Sequence, residues 1–136
     1  MIQTISLMAS ALVLMQGAPG APADQQGAAR APAITEFTQL PLEEATAARC
    51  GIAFAAIAQW QAADDPRGAP WPEMEGAGAR EYFVQAMAQI MDKHSLGRDD
   101  VSRLVQREFQ KHLADDGAAI AAMMPGCLLA LDAAKF

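Results

Sequence analysis

Cys50 and Cys127 are the residues of this chain best suited to covalent chemistry, and they lie in two different hydrophobic segments. Neither belongs to a C-x-x-C pair, and neither has the flanking His or helix-start position that lowers a thiol pKa, which argues against a redox or metal role. The spacing predicts a structural disulfide closing nearly the whole folded region, a cross-link that contributes on the order of 4–5 kcal/mol in the chain-entropy account.

The other reactive residue types form weaker sets. Met87, Met91 and His94 fall at i, i+4, i+7, with Met123-Met124 elsewhere, which are soft ligands suited to Cu(I). The same positions make a helical core stripe, and methionine is more often a gap-filler there, so neither metal nor cofactor is expected. Asp92 to Asp100 puts Gly97 at the glycine position of a calcium loop, but His94, Leu96 and Arg103 stand where oxygen ligands belong. His112 beside Asp115 and Asp116 reads as a solvated or capping pair. Ser95 and Ser102 lie in no G-x-S-x-G turn. A Cys–His enzyme would need one cysteine free. The acid pairs Asp64-Asp65, Asp99-Asp100 and Asp115-Asp116 fall at predicted helix ends, where carboxylates cap rather than catalyse.

These residues are carried on helices. From Leu40 onward apolar residues recur at helical spacing, and no β-branched residues alternate as in a strand. A first helix is predicted from about Leu42 to Ala62, with Pro41 at its start and Glu43-Glu44 complementing the dipole. Its centre, Cys50 to Ala58, is apolar on almost every side, so this helix should be surrounded by the others, with Gly51, Ala55 and Ala58 allowing close approach. A second spans about Ala79 to His94, with Tyr82, Phe83, Ala86, Met87, Ile90 and Met91 on one face. A third starts after an N-cap at Gly97, with Asp99 and Asp100 at N2 and N3 and Leu96 and Val101 as a hydrophobic staple. Its stripe is read as Val101, Leu104, Val105, Phe109 and Leu113. The last helical region runs from Asp115 or Asp116 to about Lys135, and Pro125-Gly126 should kink or split it. The fold class is all-α, a four- or five-helix bundle with one long-range disulfide.

One connection is long, from Ala63 to Gly78, and loops of that length are either mobile or functional. Trp71 stands between Pro70 and Pro72, which stiffen the backbone around it. These three residues are candidates to anchor a protein partner. In the alternative the ring folds back as a lid between the first two helices.

At the N-terminus, Ile5 to Met15 is apolar and uncharged, and Ala21-Pro22-Ala23 matches an A-x-A cleavage site, so residues 1–23 read as a signal peptide. The stretch before the run has no Lys or Arg, which leaves an uncleaved anchor as the second reading. The run is too short for an unaided span, which needs roughly 20 apolar residues. Residues 24–39, rich in Gln, Gly, Ala and Pro, read as a disordered tether, and residues 40–136 as one helical domain. Export to the periplasm or outside the cell agrees with a disulfide. The net charge of −6, with basic residues scattered singly, repels phosphate backbones, so nucleic acid is not an expected partner.

Three functions follow in order of support. First is a non-enzymatic interaction module with a protein partner. Second is a small-ligand or metal carrier using space between helices where Met87, Met91 and Met123 converge. An enzyme of unassigned class is third.

Overall fold

The structure, a computed structural model, describes residues 33–134. It is all-helical: α1 (Leu42–Ala62), α2 (Ala79–His94), α3 (Arg98–Ala114) and α4 (Ala118–Ala134), with 3-10 turns at Phe37–Gln39 and Glu75–Ala77. The expected signal peptide and the first part of the expected tether lie outside the described residues.

α1 begins as its sequence dictates, with Pro41 at the N-cap and Glu43 and Glu44 in the first turn. It is the centre of the bundle and contacts the other three helices. Cys50, Ile52, Ala53, Phe54, Ala56 and Ile57 are buried on different sides of it, as a helix apolar all round requires. Two hydrophobic clusters share this spine. One joins the Cys50–Trp60 half of α1 to Ile120, Met124, Cys127 and Leu131 of α4, with Met74 and Ala79. The other joins Ala45, Ala48 and Ile52 to Ala86, Met87 and Ile90 of α2 and to Val101 and Leu104 of α3.

The packed region starts upstream of Leu40, which corrects the C-terminal limit of the expected tether. Phe37 and Leu40 are buried in the second cluster and Ile34 packs against it. The Gln39 side-chain oxygen accepts the N–H groups of Thr35 and Glu36 at 2.7 and 2.9 Å. α3 holds the same segment through Arg107, which donates to the Thr35 carbonyl at 2.6 Å, and through Lys111, 3.3 Å from Glu36. Three spaced apolar residues thus suffice to dock a segment that is otherwise poor in them.

α2 and α3 keep their expected limits. Ser95 takes a left-handed conformation (φ 52°) and the Leu96 N–H closes back onto the Met91 carbonyl at 3.1 Å. At the start of α3 the Asp100 carboxylate accepts the Gly97 N–H at 2.9 Å, and Leu96 and Val101 both pack into the second cluster, completing the staple.

α4 departs from expectation in where it starts, and at Pro125 it is continuous, which leaves the split excluded. It starts at Ala118, because α3 ends in a Schellman turn: Gly117 N–H to His112 C=O at 3.0 Å, Asp116 N–H to Leu113 C=O at 3.3 Å, with Asp116 left-handed at φ 56°. Asp115 lies between the helices, and its carboxylate accepts from Gly117 and Ala119 at the α4 N-terminus. Nor does Pro125 divide the last region, since Ala118–Ala134 is one helix with the proline inside it. Pro125 and Ala121, the residue whose carbonyl the ring displaces, both stand at exposed positions of the helix.

Gly117 has no substitute at its position. Its φ is +81°, and a Cβ there would stand 2.6 Å from Cη2 of the buried Trp60 ring. Gly117→Ala combines a left-handed penalty with overpacking, together about 2–4 kcal/mol, read as a lower urea midpoint. Gly126→Ala is the control. A Cβ at that helical site meets nothing within 4 Å, so the change is expected to stabilise by about 0.5–1 kcal/mol.

Candidate functional site

α1 and α2 approach most closely where Gly51 faces Phe83, with the space for a Cβ only 3.1 Å from the Phe83 Cα. Beyond that contact α1 presents Ala55, Ala58 and Ala62, whose side chains are too small to fill the space towards the start of α2. A cleft of about 480 Å³ results, walled by Phe54, Ala55, Ala58, Met74, Ala79 and Phe83. Gln61, Glu73, Glu75 and Arg80 stand around it.

The outer wall is the Ala63–Gly78 connection, which the Gln61 side chain fastens at four points. The Gln61 amide nitrogen donates to the carbonyls of Gly68 and Trp71 at 3.2 Å and of Pro72 at 2.9 Å, and its oxygen accepts the Met74 N–H at 3.1 Å. Met74 is thereby drawn into the core, where it is fully buried. Trp71 is half-buried and packs against the α1–α4 cluster, while Pro70 and Pro72 are exposed. At the start of the connection Arg67 lies 4.5 Å over the Trp60 ring. Its guanidinium also grips Asp65 at 2.7 and 3.0 Å and holds that carboxyl at about 2, first through the side-chain hydrogen bond.

The cysteine pair is a disulfide, Cys50 to Cys127, with Cα atoms 5.2 Å apart. The methionines do not converge as the carrier reading required: Met87 and Met91 belong to the α2–α3 cluster, Met123 and Met124 to the α1–α4 cluster. His94 pairs instead with Glu44, which also accepts from Lys93 at 3.0 Å, and these two bonds lower the Glu44 pKa. Among the described residues no group of His, Cys, Asp and Glu is arranged to hold a metal ion.

Comparison with family models, curated proteins and solved structures finds no match to this chain.

His112, expected to be solvated or capping beside Asp115 and Asp116, is instead buried in a polar cluster between α1 and α3. Glu108 and His112 are each 3% exposed, while the expected stripe residue Leu113 points largely outward. Arg49 Nε donates to Glu108 at 2.7 Å, and Lys111 reaches the other carboxylate oxygen at 3.8 Å. His112 Nε2 is buried 3.6 Å from Glu108 and has no hydrogen-bond partner. Burial lowers the His112 pKa, and the nearby Arg49 and Lys111 charges add to the effect against Glu108 and Asp115. Neither Glu108 nor His112 lines the cleft.

That pair carries a pH dependence. The unfolded chain binds a proton at His112 near 6.5, whereas the folded protein binds it only at lower pH. Stability contributed here is therefore complete above about 6.5 and declines as the pH falls below it, because protons then favour the unfolded state. Denaturation midpoints measured from pH 7 to pH 5 should fall, and His112→Phe should flatten that slope.

Proposed function

We propose that this is an exported, non-enzymatic binding module whose α1–α2 cleft receives an apolar group from a protein partner. The observation that carries the reading is the cleft itself, with apolar walls open to the surface and fixed in place by Gly51, Phe83 and the Gln61 hydrogen bonds. It holds no nucleophile and no matched acid and base. Glu73, one of its two carboxylates, is turned back on the Glu75 and Gly76 N–H groups at 2.8 Å. Trp71, with Pro70 and Pro72, belongs to the same connection and extends the surface a partner meets.

Export is supported by the buried disulfide, which favours an oxidising compartment, and by the apolar N-terminal run with its A-x-A site. No single described helix is long and apolar enough to cross a membrane. N-terminal sequencing of protein recovered from the exported fraction should begin at Asp24.

Filling the cleft tests the binding role. A partner that co-elutes with the wild type from the exported fraction should be lost with Ala58→Leu at unchanged melting temperature, and weakened with Trp71→Ala, which should also lower the melting temperature because the ring packs against the α1–α4 cluster. A partner retained by both variants would place the binding surface elsewhere. The cleft volume also suits a small apolar ligand, which is the second reading. An apolar dye that raises the melting temperature of the wild type and not of Ala58→Leu would favour it.

A further inference from the structure

The cleft does not end at its outer wall. On the other side of the Glu75–Ala77 turn lies a second depression, floored by Pro72, Leu128 and Leu131 and bordered by Glu75, Glu81 and Asp132. Glu75 lines both depressions. The first is apolar and the second mixed, and among the described residues they are edged by Glu73, Glu75, Glu81 and Asp132 with Arg80 as the cation.

Elsewhere among the described residues Glu36, Glu44, Asp65, Asp100, Glu108 and Asp116 are ion-paired, while Glu43, Asp64, Asp92, Asp99 and Asp115 are not but lie outside both depressions. Among the described residues Glu75, Glu81 and Asp132 have no ion pair. All three are exposed. Unmatched charge of one sign beside an apolar groove selects a partner of the opposite sign and steers its approach.

We infer that the segment docking at the cleft is a cationic amphipathic stretch of a protein partner. Its apolar side chain enters the Phe54–Ala58–Phe83 cleft, and flanking lysine or arginine residues cross the Glu75–Ala77 turn to meet Glu81 and Asp132. A second copy of this chain is the poorer occupant, since a net charge of −6 on each copy opposes self-association. The inference rests on the reading of the cleft as a docking site and adds the charge of what docks there.

The test uses two synthetic peptides of equal length, an amphipathic Leu/Lys helix and its Leu/Glu counterpart, titrated by fluorescence anisotropy against the disulfide-bonded protein. The Leu/Lys peptide should bind and the Leu/Glu peptide should not. Ala55→Leu and Ala62→Leu, both at exposed positions and checked for unchanged melting, should each reduce that binding. The triple reversal Glu75→Lys, Glu81→Lys, Asp132→Lys should weaken it by about tenfold or more, equivalent to about 1.4 kcal/mol. Reversal of Glu43, Asp92 and Asp99, exposed and outside both depressions, should cause a much smaller loss, which separates site binding from general attraction to an acidic protein. Equal loss from the two sets of reversals would overturn the charge inference. Equal binding of both peptides, abolished by the cleft-filling variants, would also overturn it while keeping the cleft as the docking site. Binding that ignores the cleft-filling variants, or no binding of either peptide, would overturn both.

Discussion

Reduction of the Cys50–Cys127 bond is expected to lower the unfolding free energy by about 4–5 kcal/mol, the largest effect of any single bond in this fold. The cross-link spans a sequence separation of 77 residues and ties the middle of α1 to the middle of α4, so it removes much of the freedom of the unfolded chain. Both cysteines are buried in the α1–α4 cluster, so the reduced protein also leaves two thiols to be accommodated there. For a domain of this size the melting temperature should fall by roughly 15–40 °C. Urea denaturation with and without reductant checks this, and the Cys50→Ala/Cys127→Ala variant should follow the reduced protein. A loss under about 1 kcal/mol would mean that these segments stay close together even in the unfolded chain.

Arg49→Met should cost about 3 kcal/mol. The side chain is 41% exposed, but its partner Glu108 is almost completely enclosed, and removing the guanidinium strands that carboxylate. A buried pair broken from one side typically loses about 3–5 kcal/mol. The lower end applies because Lys111 remains 3.8 Å away, and methionine preserves the packing of the arginine stem. Arg49→Met/Glu108→Leu should recover most of the loss, because replacing both members of a buried pair with apolar groups is often neutral. A double-mutant cycle in urea gives the coupling directly. A double variant as unstable as Arg49→Met alone would show that Glu108 contributes by packing and not by charge.

Much of the architecture was legible because the local signals are strong and agree. Pro41 and the two glutamates mark the start of α1, Gly97 with Asp100 marks the start of α3, and the charge-free centre of α1 identifies the helix that others surround. The cysteine pair followed from compartment and spacing. What was missed has physical causes. Val101, Leu104, Glu108 and His112 form one helical stripe, with Phe109 packed beside it as expected, but polarity diverted the end of the reading to the exposed Leu113. The informative signal was Glu108 and His112 at i, i+4 in line with buried positions, together with Arg49 at the edge of the apolar centre of α1. The cleft is hardest of all to foresee. Ala55, Ala58 and Ala62 are good helix formers, and the empty volume beside them depends on where Phe83 rests on Gly51.

The central position of α1 gives the molecule two separable clocks. No other helix can leave without uncovering α1, so amides around Ile52 to Ile57 should exchange with solvent deuterium only when the whole domain opens. The Ala63–Gly78 connection is held from outside the α1 core by the Gln61 hydrogen bonds, the Arg67 contacts and the buried Met74, and its amides should exchange through a smaller, local opening. One exchange experiment on the intact protein therefore reads the stability of the whole bundle from one segment and the looseness of the cleft wall from the other.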